Sequence, residues 1–318
     1  MLSTFSILLP IFGLILAGFV CAKRGVLGPT AASELNKFVV WLGLPALLFN
    51  IMAHSTWQQL DQPGFIAVFS IASAVPFLVT LAGRLIARRR LADASIDAIA
   101  ASYPNTGYIG FPLCLLLFGQ SSLTPTTIAT ILVACVLFAV AIVLIEVGLQ
   151  VERAPHKLAA KVLMALARNP LIVSPIVGAL ASAGHVTVPE SVETFLKLLG
   201  GAASPCALVS LGLFLAKKKP EGEQVGGAVV RDAVVLTLIK LIAQPLIAWW
   251  LATRVFALPT ALVNVTILLA ALPTGTGPFM LAEYYRREAS ITSRVILFST
   301  LGAIVSLSLV MTWLIRPA

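Results

Sequence analysis

Two short segments rich in Pro, Gly, Asn and Thr interrupt long apolar stretches at matching places in the two halves of the chain. The first runs from Ser102 to Gly107 and the second from Leu272 to Pro278. Proline removes a backbone donor and glycine adds backbone freedom, so each segment is predicted to break its helix. A broken helix at membrane depth is tolerated only inside protein or beside a cavity. Paired breaks in two halves therefore predict a ligand site.

The groups at these breaks suit a small anion. The half-helix that restarts after each break directs free N–H groups and a positive helix end toward the middle of the bilayer. Side-chain amide and hydroxyl groups add further donors and acceptors. The candidate binding residues in the two segments are Pro104, Asn105, Thr106, Gly107, Pro273, Thr274, Gly275, Thr276 and Gly277. The alternative is a pair of structural kinks, because Pro and Gly are common in membrane helices.

Four polar or charged residues outside the breaks are further candidates for a functional role. Lys240 lies well inside an apolar stretch, where a charge is costly unless it is paired or faces water. It is predicted to contact a substrate carboxylate or to replace a coupling cation; the alternatives are snorkelling to an interface or pairing with a carboxylate. Gln244, one turn later, is predicted to share that cavity, and Asn50 to add a polar contact. Asp97 is interpreted as a helix-dipole partner or as a proton-coupling carboxylate.

The composition is that of an integral membrane protein. Of 318 residues, 59% are hydrophobic and 11% are charged, whereas soluble domains carry about 25% charged residues. The net charge of +9 comes from basic clusters between apolar runs, which is typical of loops facing anionic lipid rather than nucleic acid. No GxSxG, HExxH or phosphate-loop motif occurs. We therefore expect a lipid bilayer partner, no enzyme activity, no nucleic acid, no cofactor and no metal site.

Ten apolar stretches are long enough to cross a bilayer, which takes roughly 20 residues per helix. We number them spans 1 to 10, at about 4–22, 35–53, 63–86, 94–117, 124–149, 169–185, 194–216, 230–252, 260–283 and 291–315. With the N-terminus outside, 18 of the 22 basic residues fall on the inner side; the other four are Lys197, Arg254, Arg316 and Lys240. This bias follows the positive-inside rule, so both termini are predicted outside.

The two halves of the chain are predicted to be repeats. An offset of 160 residues aligns five pairs of identical residues: Pro10 with Pro170, Gly18 with Gly178, Pro29 with Pro189, Lys37 with Lys197, and Pro45 with Pro205. Pro104 matches Pro273 at an offset of 169, which places extra residues in the loop from Lys217 to Gly227. The predicted units are 1–150, a cytoplasmic linker at 151–168, and 169–318. Five spans per repeat make the repeats inverted, a symmetry typical of secondary transporters.

The segments Leu44 to Phe49, Pro104 to Tyr108 and Leu272 to Tyr285 resemble those of the auxin efflux carrier family, and the resemblance covers nearly the whole chain. It implies an all-α membrane protein of ten helices in two inverted five-helix repeats, with broken, crossing spans 4 and 9. This architecture is similar to the bile-acid sodium symporter and PIN-type fold. Spans 1, 2, 6 and 7 would form a scaffold, with spans 3–5 and 8–10 as a moving transport domain. The resemblance also implies homodimers, elevator-type alternating access and, for bacterial members, substrates such as malonate and malate.

One departure concerns the second break. The plant exporters of this family carry an Asn in both breaks, whereas here the second break has Thr274 and Thr276. We expect a secondary transporter of a small organic anion, with carboxylates as the expected class, in a bacterial inner membrane. A sodium- or proton-coupled carrier of another solute and a ligand-binding membrane sensor are the alternatives. The residues leave the coupling ion (H⁺ or Na⁺) and the direction of transport open.

Overall fold

A computed structural model of the chain describes residues 2–56, 61–150, 155–216, 226–287 and 289–314, and within these ranges every regular element is a helix. The helices are α1 (Leu2–Lys23), α2 (Ala31–Ala53), α3 (Pro63–Ile86), α4 (Leu91–Ala100), α5 (Phe111–Phe118), α6 (Gln120–Leu149), α7 (Pro155–Arg168), α8 (Pro170–Ala183), α9 (Glu190–Ala216), α10 (Gly227–Val255), α11 (Thr260–Ala270), α12 (Gly277–Tyr284) and α13 (Ser290–Leu314). Most of the predicted loop insertion, with Lys217, Lys218 and Lys219, lies outside the described residues, as do Arg153 and Arg316.

The helices have the length and composition of a multi-pass membrane protein. Six of them, α2, α3, α6, α9, α10 and α13, are long and apolar enough to cross a bilayer. Span 4 consists of α4 and α5, and span 9 of α11 and α12, so both predicted helix breaks are present. The predicted linker at 151–168 contains the helix α7. The count of ten crossings and the inverted order of the repeats stay predictions.

Wide π-helical turns precede prolines inside two of the long helices. In α2 such a turn spans Val39–Gly43, ahead of Pro45, and in α10 one spans Ile239–Ala243, ahead of Pro245. Proline has no N–H for the i→i−4 bond, and its ring clashes with the carbonyl one turn back. An extra residue in that turn relieves the clash while the helix continues. The prolines therefore rotate the residues within these turns, including Lys240, relative to a regular helix.

Helices α1, α2, α8 and α9 pack closely through glycines. A Cβ atom at Gly18 of α1 would overlap the carbonyl of Val209 in α9, and one at Gly178 of α8 would lie 2.6 Å from the carbonyl oxygen of Phe49 in α2. The offset of 160 residues exchanges these two contacts, because 18 becomes 178 and 49 becomes 209. Small residues allow such backbone approach between membrane helices. The exchange supports the predicted inverted repeat.

Ion pairs join α3, α4 and α10. The Arg84 guanidinium lies between Asp97 of α4, at 2.9 Å, and Asp232 of α10, at 2.6 Å. Arg287, which follows α12, donates hydrogen bonds to both carboxylate oxygens of Asp93 in α4. Charge-assisted bonds to arginine are short and directional. Ion pairs therefore join α3, α4, α10 and the segment that follows α12.

Replacing Gly212 of α9 by alanine is expected to destabilise the protein. The added Cβ would overlap the carbonyl oxygen of Ile15 and lie 2.8 Å from the Phe19 nitrogen, so α1 and α9 must separate. Overpacking of this kind costs about 1–3 kcal/mol. Gly201→Ala on the same helix is the matched control, because a Cβ there meets no atom within 4 Å. Thermal unfolding in detergent should show a lower Tm for Gly212→Ala only; equal values would contradict the close approach.

Candidate functional site

The two breaks pair directly with each other. Pro104 and Thr274 form an isolated antiparallel β-bridge, in which one residue of each break pairs as neighbouring strands do. The Asn105 N–H donates to the Pro273 carbonyl at 2.9 Å, and the Gly275 N–H donates to the Tyr103 carbonyl at 3.0 Å. Extended backbone at membrane depth needs such partners because lipid supplies none. The structure therefore brings together the two segments that the sequence placed in different halves.

Buried side chains bind the carbonyl groups at the C-terminal ends of the first half-helices. Thr274 Oγ1 donates to the carbonyl of Ala100, the last residue of α4, at 3.0 Å. Lys240 Nζ donates to the carbonyl of Ala270, the last residue of α11, at 2.8 Å. Gln244 Nε2 donates to the Ser102 carbonyl at 3.3 Å. These are carbonyls that a helix end leaves without an intrahelical partner, so three predicted site residues are engaged with backbone.

A small cavity of about 40 Å³ adjoins the breaks. From the predicted site it is lined by Pro104, Asn105, Thr106, Gly107, Gly275, Thr276 and Gly277, and from elsewhere by Leu44, Leu47, Leu48, Ile51, Tyr103, Thr130, Ala134 and Met280. Pro273, Thr274, Lys240 and Gln244 are not part of this lining. A cavity needs roughly 10–15 Å³ to hold one water molecule, so this cavity has room for only a few water molecules.

Asn105, Thr106 and Thr276 carry the polar side chains available at this cavity. They are 7%, 2% and 6% exposed, and no hydrogen bond joins their side chains to another residue of the described ranges. None of these side chains contributes a fully buried, unpaired polar atom, so their polar groups are open to the cavity, where water or a ligand can bond to them. Thr274 lies two residues from Thr276 but is used to cap α4. The two threonines of the second break therefore have different roles.

Free backbone donors complete the polar surface of the cavity. Within the part of the chain that the structure describes, no acceptor pairs with the N–H groups of Gly107, Thr276 or Gly277. They belong to the first turns after each break, where a helix leaves its donors unused. No acidic side chain lines the cavity. The arrangement presents two positive helix ends, one from each break, to the same small volume.

Tyr103 is a site residue that sequence reasoning missed. Its ring occupies the space beside Gly275 and Gly277: a Cβ at Gly275 would lie 2.9 Å from Tyr103 Cε1, and one at Gly277 would lie 2.9 Å from Tyr103 Cζ. The ring also packs on Phe138 of α6, with centroids 5.8 Å apart. The sequence feature that could have predicted this contact is the pair of glycines in the second break, which leave room for an aromatic ring of the first. No such feature predicted that apolar side chains of α2 line the cavity.

Asn50 lies at a neighbouring cavity rather than at the breaks. That cavity, of about 330 Å³, is lined by Asn50, Ile51, His54, Ser55, Phe111, Leu123, Thr124 and Thr127. Ile51 lines both cavities, so the two are adjacent. Among the described residues no cluster of His, Cys, Asp or Glu has the arrangement of a metal site.

Gly277→Ala is expected to disturb the paired breaks. The new Cβ would lie 2.9 Å from both Phe138 Cε2 and Tyr103 Cζ, so an aromatic ring must move at a cost of about 1–3 kcal/mol. Gly107→Ala in the first break is the matched control, because its Cβ would make an ordinary 3.8 Å contact with Thr130. Thermal unfolding should show a lower Tm for Gly277→Ala than for Gly107→Ala. The reverse order would contradict the placement of Tyr103.

Comparison with known proteins now identifies the family. Residues 3–311 match the family described as membrane transport protein. A Rhizobium meliloti protein named "Putative malonate transporter" is 27% identical over 303 residues, covering 95% of this chain and 93% of that protein. An "Uncharacterized transporter" of Methanothermobacter thermautotrophicus is 25% identical over 310 residues, 95% of each chain. Auxin efflux carrier component 8 of Arabidopsis thaliana is 21% identical over 349 residues, 93% of each.

The names of these relatives indicate a transporter rather than an enzyme, and the match spans both breaks. The resemblance to the auxin efflux carriers that the break residues predicted is confirmed. The chain belongs to the membrane transport protein family and is a multi-pass membrane transporter.

Proposed function

We propose that this protein is a secondary transporter that binds a small organic anion in the cavity between the two breaks. The observation that carries the proposal is the set of donors that face this cavity and bond to no described residue: the Asn105 amide, the Thr106 and Thr276 hydroxyls and the free N–H groups beside them. Donors held in a low-dielectric site without a nearby carboxylate favour a negative ligand. Helix N-termini are common anion sites for the same reason.

Dicarboxylates are the substrate class that we propose. Each break ends in one N-terminal helix end, so a molecule with two carboxylates can place one at each end. The name of the Rhizobium relative refers to malonate, which has this form. The first break offers an amide where the second offers a hydroxyl, so the two carboxylates would be held by different groups.

We further propose elevator-type alternating access. In this proposal α1, α2, α8 and α9 form the scaffold and the remaining span helices form the transport domain. The backbone contacts of Gly18, Gly178 and Gly212 lie within the first group, and the ion pairs of Arg84 and Arg287 lie within the second. The α2 wall of the cavity is apolar, so the breaks form no hydrogen bond with the residues of that wall. A long hydrogen bond of 3.5 Å, from Asn36 of α2 to the Met280 carbonyl, links the groups.

Entry of a dicarboxylate requires this interface to move. A cavity of about 40 Å³ is too small for an organic acid, so the α2 side chains must retreat from the breaks during the cycle. The proposal also includes two inverted five-helix repeats, a homodimer, a bacterial inner-membrane location and both termini outside.

Asn105→Ala is expected to weaken malonate binding by about 10–100-fold. A hydrogen bond to a charged group contributes roughly 1.5–3 kcal/mol, and each 1.4 kcal/mol is a factor of ten. The Tm should stay near that of the wild type, because no described residue bonds to the Asn105 side chain. Binding would be measured by calorimetry, and transport by uptake of labelled malonate into proteoliposomes.

Asn264→Ala supplies the matched control for Asn105. It makes the same change on α11, outside the cavity lining, and should leave affinity and uptake unchanged. Equal affinities for the two variants would contradict the site. Binding by the wild type without counterflow of labelled malonate would contradict transport.

Thr276→Val and Thr274→Val are expected to act differently. Thr276→Val removes a hydroxyl at the cavity, so malonate affinity should fall while the Tm is kept. Thr274→Val removes the donor to the Ala100 carbonyl and leaves a buried acceptor unpaired, which costs about 1–3 kcal/mol and should lower the Tm. Affinity and Tm would be measured for both proteins. The same profile for both threonines would contradict the division of roles.

A further inference from the structure

We infer that Lys240 and Gln244, two buried residues one turn apart on α10, together hold both breaks in register and so set the geometry of the anion site. They are positioning residues, because they contact the backbone beside the breaks and do not line the cavity. The part of this inference that concerns the anion rests on the proposed function. The part that concerns the breaks stands on the contacts alone.

Lys240 holds the second break. Its side chain is fully buried, and its Nζ donates a hydrogen bond to the carbonyl of Ala270 at 2.8 Å. Ala270 is the last residue of α11, where the helix dipole is negative and the carbonyls lack intrahelical donors. The bond from Lys240 supplies the donor that the end of α11 lacks.

Gln244 holds the first break. Its side chain is also fully buried, and both hydrogens of its amide are used. One bond goes to the carbonyl of Ser102 at 3.3 Å, and the other goes to the hydroxyl of Ser73 in α3 at 3.2 Å. The amide therefore connects α10, α3 and the residue immediately before Tyr103.

The helix α10 presents both groups on one face because they are four residues apart. The wide turn Ile239–Ala243, which Pro245 imposes, contains Lys240 and ends immediately before Gln244. The single helix α10 thereby bonds to the end of the half-helix that precedes each break. The Pro104–Thr274 bridge then joins the breaks to each other, so α10, the bridge and both half-helices form a closed set of contacts.

Loss of the Lys240 or the Gln244 hydrogen bond should displace the backbone groups that face the cavity. The carbonyls of Tyr103 and Pro273 accept the two bridge bonds, and each lies only a few residues beyond a carbonyl that α10 holds. If the Ser102 or Ala270 carbonyl loses its donor, the segment moves to find another, because an unpaired carbonyl is costly at membrane depth. The N–H groups that face the cavity move with it.

The test uses full-length protein in nanodiscs and three variants of α10. Lys240→Met and Gln244→Leu keep the side-chain size but remove the donor. Thr237→Val is the matched control, because the Thr237 hydroxyl is buried one turn earlier and bonds only within α10, to the Ala233 carbonyl. Amide hydrogen exchange would be followed in the peptides that contain Asn105 and Gly275, whose N–H groups form the bridge.

Lys240→Met and Gln244→Leu should each speed exchange of these bridge peptides about tenfold, while peptides from α1 and α9 exchange as in the wild type. Thr237→Val should change neither region. If exchange at the bridge in both donor-free variants matches that of Thr237→Val, the positioning role is wrong. This measurement needs no ligand, so it decides the inference whether or not malonate is the substrate.

Malonate uptake supplies the second readout. Displaced N–H groups weaken substrate binding, so KM should rise about tenfold in both donor-free variants, with Thr237→Val unchanged. A merely structural role would lower the maximal rate in proportion to the folded protein, at constant KM, and would overturn the inference. If the wild type itself takes up no malonate, the proposed substrate fails, and the exchange measurement alone decides the role of Lys240 and Gln244.

Discussion

The constraint on which the rest of this structure depends is that backbone polar groups inside a membrane must have partners. At the two breaks the protein meets it unequally. The carbonyl groups at the end of the half-helix before each break receive donors from Thr274, Lys240 and Gln244 and from the bridge itself. The N–H groups at the start of the half-helix after each break stay free at the cavity. A structure that satisfied every group would be more stable and would have nothing left to bind an anion, so the incomplete side is where function is expected.

The same distinction separates side chains of identical chemistry. Thr274 and Thr276 are two residues apart, yet one bonds to backbone and the other faces the cavity. Lys240, a buried lysine whose position first suggests a substrate contact, bonds to a helix end instead. Burial alone therefore does not mark a ligand contact. Our proposal of ligand contacts rests instead on the lack of a protein partner combined with a place on the cavity wall.

Much of this arrangement was predictable from the sequence, because Pro and Gly act locally. The helix breaks at Pro104 and Pro273 follow from the loss of a donor and the freedom of nearby glycines. The family resemblance rests on the same residues. The roles of Lys240, Gln244 and Thr274 were not predictable, since they depend on which carbonyl lies within reach in three dimensions. Asn50 was assigned to the break site, but it lines the neighbouring cavity. The ring of Tyr103 was overlooked because its partners, Gly275 and Gly277, lie in the other half of the chain.

The fit of Tyr103 against Gly275 and Gly277 limits how the sequence of this protein can change. The aromatic ring of one half occupies space that side chains of the other half would otherwise fill, and Phe138 packs on the same ring. A larger residue at either glycine would overlap the ring, so such a change needs a smaller side chain at position 103 at the same time. The two halves of the chain therefore constrain each other's sequence at this point, although the residues concerned are far apart along the chain.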